Sequence, residues 1–371
     1  MNHSAKKTVL MVGSFKSITK DKHVGGQMFA CTNLINSQLN DYVDWLLIDS
    51  TADNVITSGF IRRFNKATVR VVLFVKYLLF SKPDYCLIFL TNGFSFWEKG
   101  CMVLLVKWLG KAKIILAPRS GAIIDDAKNK KLLGSFIPFV LSKCDFVICQ
   151  SLAFENSYRN LVHDNFSNRF VVIENWMDTT LYESLIIKQY QVKPVRILFL
   201  SWVERFKGII ELINVAKMLK DDEIDFQLVI AGGGSSFTEV VQLIKLFGLN
   251  GKVDLVGWVF GEEKLKLLES SDIYVLPSYN EGYPNSLMEA MAAGKACIGT
   301  RVGAIPDMIE DGVTGLLIEP KNTNDLYNKL KTLILNVQLR MDIGKAAKLK
   351  ILKNNTMEVA VSKFNILFHD R

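Results

Sequence analysis

The chain reads as an α/β protein of two doubly wound domains, each a parallel sheet covered by helices on both faces. Three observations predict this. The 371 residues exceed what one core usually holds, so two domains are expected. Short β-branched runs alternate with longer helical patterns along the whole chain, the order expected of strand–helix–strand units. Strand candidates such as Ile197-Leu198-Phe199-Leu200 are continuously apolar, which suits sheets buried on both faces.

In order, the first half offers strands at Thr8–Val12, Val43–Ile48, Tyr85–Leu90, Lys113–Leu116, Phe146–Cys149 and Phe170–Ile173. The second half offers Arg196–Leu200, Phe226–Ala231, Val253–Val256, Ile273–Leu276, Ala296–Gly299 and Gly315–Ile318. The polar stretch Ile187–Pro194 ends in proline before a new strand and reads as a linker. The expected division is residues 1–190, residues 191–355, and a C-terminal helix over 356–371 that packs back on the first domain. Doubly wound sheets bind ligands at the C-terminal ends of their strands, so two of them are expected to face one central cleft.

A hydrophobic content of 49% against 22% charged excludes a disordered chain. The start is polar, and the longest apolar runs, Val71–Phe80 and Cys101–Leu109, are short and carry Lys76 and Lys107. No signal peptide or spanning helix is predicted, and a cytoplasmic placement is expected. The six cysteines form no CxxC pair and the four histidines show no HxH or HxxxH spacing, so neither a metal nor another cofactor is expected.

The net charge is uneven. Through Tyr190 there are 23 Lys+Arg against 15 Asp+Glu, 23 − 15 = +8; from Gln191 onward, 22 − 22 = 0. A basic first half points to an anionic partner, such as a membrane or a phosphate-bearing lipid. Nucleic acid fits worse, because no zinc-finger or RNA-binding signature occurs. Residues 60–82 hold six basic residues and no acid. At about 100° per residue, Arg62, Arg63, Lys66, Arg70 and Lys76 share an arc of roughly 140°. Phe60, Val71, Val72, Phe74 and Leu78 occupy the rest. Two readings stand: a helix lying on an anionic membrane surface, or a domain helix with a solvated basic face.

The densest motif runs from Pro277 to Ala290. It follows the apolar Ile273–Leu276 run, crosses a loop containing Glu281, Gly282, Tyr283 and Pro284, and enters a helix near Asn285 and Ser286. The unpaired amides and dipole of a helix start suit a diphosphate. Glu281 and Glu289 could hold a sugar's hydroxyls and a ribose diol. Ser286-Leu287-Met288-Glu289 is equally a capping box, with Glu289 merely returning a hydrogen bond to the helix start.

This stretch, with seven residues between its two glutamates, resembles the EGFPNSLLEAMA signature of the family 4 retaining glycosyltransferases. Leu228–Gly234, Val253–Val259, Gly294–Pro306 and Asp311–Leu317 resemble further blocks of that family in order, so the likeness covers most of residues 196–320. It implies a GT-B architecture, a UDP- or GDP-sugar donor bound without metal, and transfer with retention to a glycan or lipid-linked acceptor. Surface polysaccharide synthesis at the inner membrane face is the expected setting. In the segment resembling GRLxxxKG, Lys207 matches the lysine that neutralises the leaving diphosphate. Trp202 stands at the arginine position. Arg205 either supplies the second positive charge or is a solvated flanking charge.

The first half is similar more sparsely. Gly25 and Gly26 match the glycine pair before the first helix, where the donor is expected. Ile173-Glu174-Asn175-Trp176-Met177-Asp178 resembles the IPNGVD block, and Arg119, in Pro118-Arg119-Ser120-Gly121, resembles the PRG-type loop of polysaccharide-building relatives. Glu281, Lys207 and Arg119 are thus the expected catalytic residues. Gly25, Gly26, Arg205, Gly282, Tyr283, Pro284, Asn285, Ser286 and Glu289 are the expected donor contacts. A noncatalytic sugar-nucleotide-binding or scaffold protein of the same fold is the alternative. A nicotinamide dehydrogenase is disfavoured, because no GxGxxG follows the first strand.

Overall fold

The computed structural model describes residues 6–15, 26–51, 60–163, 168–185 and 194–369. The chain forms two compact units, Met1–Met177 with Met357–Arg371, and Asp178–Thr356. The boundary lies at Met177/Asp178 rather than at residue 190. The short helix Thr180–Glu183 packs in the second unit on the helix Asn285–Ala292 and buries Tyr182 there, which draws residues 178–185 out of the first unit. All of the expected linker except Pro194 lies outside the described residues.

Unit 1 holds a six-stranded parallel sheet ordered β2-β1-β3-β4-β5-β6. Its strands are β1 (Lys7–Gly13), β2 (Val43–Asp49), β3 (Tyr85–Leu90), β4 (Lys113–Pro118), β5 (Phe146–Cys149) and β6 (Phe170–Val172). On one face, Cys31 and Leu34 from the helix Gly26–Ile35 share a core with Phe364 and Phe368 from the helix Met357–His369. Phe364 meets Trp176 edge to face, and the Tyr85 hydroxyl donates to the Phe368 carbonyl at 2.8 Å. The C-terminal helix therefore completes the first unit's core.

Unit 2 repeats the plan, with strands β7 (Val195–Leu200), β8 (Phe226–Ala231), β9 (Val253–Gly257), β10 (Ile273–Leu276), β11 (Ala296–Thr300) and β12 (Leu316–Ile318). Their order is β12-β11-β10-β7-β8-β9, all parallel. β10 and β11 are wholly buried, as their unbroken apolar runs require. The central neighbours β10 and β7 mark where the chain reverses direction across the sheet. Loops after such strands form a doubly wound fold's ligand edge.

The basic helix of the first unit forms over Phe60–Phe80, but its faces differ from the expected pair. Arg70 turns inward and grips Glu98 through two bonds of 2.6 and 2.9 Å. Val72, assigned to the apolar side, is 64% exposed. Among the described residues, no helix is long and apolar enough to cross a membrane.

Candidate functional site

The C-terminal edge of the unit 2 sheet gathers most of the expected residues. After β7 the chain makes a short 3-10 turn, Arg205–Lys207, and Gly208 ends it at φ +73°. A Cβ on Gly208 would lie 2.0 Å from the Pro277 carbonyl oxygen, so only glycine lets this turn press against the loop after β10. The Tyr279 amide donates to the Phe206 carbonyl at 2.8 Å, and the Thr300 hydroxyl to the Ser278 carbonyl at 2.6 Å. On its far side Gly303, at φ +55°, would put a Cβ 2.0 Å from the Glu281 carbonyl. The Glu281 loop is thus clamped from two sides by backbone.

That clamp brings Lys207 and Glu281 together. The Lys207 ammonium donates to Glu281 Oε1 at 2.6 Å, and the Ser278 hydroxyl donates to the same oxygen at 2.7 Å. The side chains are only 14% and 8% exposed. A carboxylate this buried needs its partners, since a charge left alone out of water is costly. The loop then enters the helix Asn285–Ala292, whose N-cap is Pro284 and which has no side-chain cap. A helix start of this kind, fed by a loop whose Glu281 is paired with the Lys207 ammonium, suits an anionic group.

Glu289 is not a capping residue. The helix begins before Ser286, whose hydroxyl bonds to the Tyr274 hydroxyl at 2.7 Å. Glu289 Oε1 instead accepts from Lys264 at 2.6 Å, from the helix Gly261–Ser270. Arg205 does not join Lys207. It is salt-bridged to Glu239, at the first turn of the helix Phe237–Leu246. Tyr283 is buried and its hydroxyl accepts from Asn355 at 2.7 Å, so its ring has a packing role.

Trp202 is 55% exposed and meets Trp258, which follows β9, edge to face at 4.7 Å. Gly233 lies against this pair, since a Cβ there would come 2.7 Å from Trp258 Nε1. Lys264, Ser278 and Trp258 were not singled out from sequence. Lys264 lies 25 residues from its partner on another helix, and no local pattern marks such a pair.

The remaining expected residues belong to unit 1. Gly25 lies outside the described residues, and Gly26 opens the helix Gly26–Ile35. Arg119 follows β4, with Nη1 donating to Asn175 Oδ1 at 2.6 Å, an oxygen that also accepts from Gln150 at 2.8 Å. Its guanidinium lies 4.8 Å from the Phe89 ring centre and 5.0 Å from that of Trp176. Burial draws its pKa down to about 10, so it remains charged at neutral pH. Nε and Nη2 are buried without a hydrogen-bond partner. Two unsatisfied donors on one buried cation call for an explanation. Among the described residues, no group of three or more His, Cys, Asp or Glu could hold a metal ion.

Residues 185–350 match the family model for glycosyl transferases group 1. The N-acetyl-alpha-D-glucosaminyl L-malate synthase of Bacillus anthracis is 26% identical over 277 residues, 73% of this chain and 71% of that protein. The sucrose-phosphate synthase of Thermosynechococcus elongatus superposes with a TM-score of 0.79 at 16% identity, covering 98% of each chain. HepE of Anabaena, solved with UDP and glucose, gives a TM-score of 0.74 at 15% identity, over 98% of this chain and all of that one (100%). At these identities the structural likeness establishes the GT-B fold.

Proposed function

This chain belongs, through residues 185–350, to the group 1 glycosyl transferases, and we propose that it moves a sugar with retention from a UDP- or GDP-sugar to an acceptor hydroxyl, without a metal. The observation that carries this reading is the buried pair between Lys207, in the turn after β7, and Glu281, in the loop that feeds the uncapped helix start at Asn285. A diphosphate at that start would meet the first-turn amides and the Lys207 ammonium, which together oppose the charge that grows as it leaves. The sequence also lacks the DxD motif that would point to a metal-bridged diphosphate.

Glu281 orients the donor sugar through its hydroxyls. The acceptor oxygen forms its bond to the anomeric carbon as the bond from that carbon to the phosphate oxygen breaks, on the same face. The acceptor proton passes to the departing phosphate oxygen, and no protein general base is assigned. Arg119 offers its two unsatisfied donors to oxygens of the acceptor, a glycan or lipid-linked molecule in surface polysaccharide synthesis. The basic first half suits work at the inner face of a membrane. The nucleotide in the solved HepE complex supports the donor class.

The test is a panel of UDP- and GDP-sugars incubated with the protein and a chelator, followed by release of nucleoside diphosphate. One or two donors should be cleaved, and adding an acceptor should give a product with the donor's anomeric configuration. Arg119→Met should slow transfer about ten-fold or more, by loss of hydrogen bonds from a charged donor, without slowing release to water. Release that requires manganese would contradict the metal-free reading. Tight nucleotide binding with no release from any donor would favour the noncatalytic binder.

A further inference from the structure

Unit 1 carries a concave feature at the edge of its sheet opposite Arg119. A groove of about 960 Å³ opens beside the starts of β1, β3 and β4. Its apolar wall includes Leu78, Leu79, Leu109 and Phe368, and Lys7, Lys82, Lys111 and Lys113 also line it. Among the described residues Asp84 is the one acid lining it; its carboxylate accepts from the Thr8 amide at 2.9 Å and lies 4.0 Å from the Lys7 ammonium. Four lysines around an apolar wall favour a ligand with an anionic head and a greasy body.

The surroundings continue that character. The helices Phe60–Phe80 and Phe94–Leu109 bring their C-terminal ends to this groove. Beside it Phe80 is 80% exposed and Trp108 is 81% exposed. Along the helix Phe60–Phe80, one exposed face carries Arg62, Lys66, Val69, Val72 and Lys76 and leads to Phe80, at spacings of three and four. Val69 and Val72 are 67% and 64% exposed. A merely solvated basic face would not interleave valines with its cations. Mixed basic and apolar side chains on one helix face, with aromatic residues nearby, suit the boundary between lipid headgroups and acyl chains.

We propose that this end of unit 1 seats on an anionic bilayer. The groove takes a phosphate-bearing lipid headgroup between Lys82 and Lys111, and Phe80 and Trp108 enter the headgroup boundary. The proposal rests on the membrane placement in the reading above and is independent of the transfer chemistry. It differs from the simple basic arc because Arg70 is committed to Glu98.

The test is co-sedimentation of the full chain with phosphatidylcholine vesicles, alone or with about a third phosphatidylglycerol, at two salt concentrations. Binding should favour the anionic vesicles about ten-fold or more and weaken as salt rises. Lys82→Gln with Lys111→Gln should lower it on the order of ten-fold. Phe80→Ser with Trp108→Ser should lower it similarly through lost apolar insertion. Both double variants change exposed or rim side chains and should keep their melting temperature and their release of nucleoside diphosphate. Equal binding to neutral vesicles, or undiminished binding by both variants, would overturn the proposal. So would binding of glycerol phosphate without any binding to vesicles. Intact vesicle binding with no donor cleavage would count against the transfer reading alone.

Discussion

Lys207→Met should lower turnover by about 10² to 10³-fold, the scale on which removing one preorganised charge stabiliser acts. It should also destabilise unit 2, because among the described residues Glu281 would keep only Ser278 as a side-chain partner at 8% exposure. Removing one member of a buried ion pair costs on the order of 3–5 kcal/mol. The second change separates the two effects. In Lys207→Met with Glu281→Gln no buried charge is left unpaired, and the amide oxygen can still accept from Ser278. Stability by urea unfolding should return most of the way, while nucleoside diphosphate release stays near the single variant's level. If activity returned together with stability, the pair would be structural, and the site would lose both its cation and its sugar-orienting carboxylate.

Glu289→Gln should weaken nucleotide binding by roughly ten- to a hundred-fold, the worth of a hydrogen bond to a charged group, with little change in melting temperature. The geometry removes the competing role. A capping glutamate would bond back to the helix start, but the N-cap is Pro284 and the Glu289 carboxylate is held by Lys264. The control is Lys264→Met, which breaks the same ion pair and leaves the carboxylate. If Glu289 serves the ribose, Lys264→Met should bind nucleotide far better than Glu289→Gln. Equal affinity in both variants would reduce Glu289 to a partner of Lys264. Calorimetric titration with UDP and GDP reads both outcomes.

The strands were legible because sheets covered on both faces demand unbroken apolar runs. Tyr85–Leu90, Phe146–Cys149, Phe226–Ala231 and Ile273–Leu276 fall where those runs predict. β4 runs on to Pro118, and the Pro118 position places Arg119 at the strand's end. What the sequence hid were partners far apart along the chain. Arg205 and Lys207 share one turn, yet Arg205 meets Glu239 and Lys207 meets Glu281, 34 and 74 residues away. A helical projection grouped Arg70 with the surface cations, but Glu98 on the next helix draws it inward.

The capping-box pattern at Ser286 to Glu289 failed for a local reason. Pro284, at φ −72° and ψ 113°, sets the cap before Ser286, and that hydroxyl is then taken by Tyr274. Gly208 and Gly303 show the opposite case. Their positive φ and 2.0 Å backbone approaches explain why glycine stands there, but only the fold reveals that both positions clamp the Glu281 loop.

The most direct measurement of whether Lys207 and the helix start at Asn285 hold a diphosphate compares nucleoside diphosphates with their parent nucleosides, by calorimetry in the presence of a chelator. The diphosphate form of the preferred base should bind on the order of a hundred-fold tighter than the nucleoside, given charge-assisted contacts from one ammonium and several amides. Lys207→Met should erase most of that gap and leave nucleoside binding unchanged. Equal affinity for the two forms, or a gap that opens only when a divalent cation is added, would contradict a diphosphate held by Lys207 and helix amides.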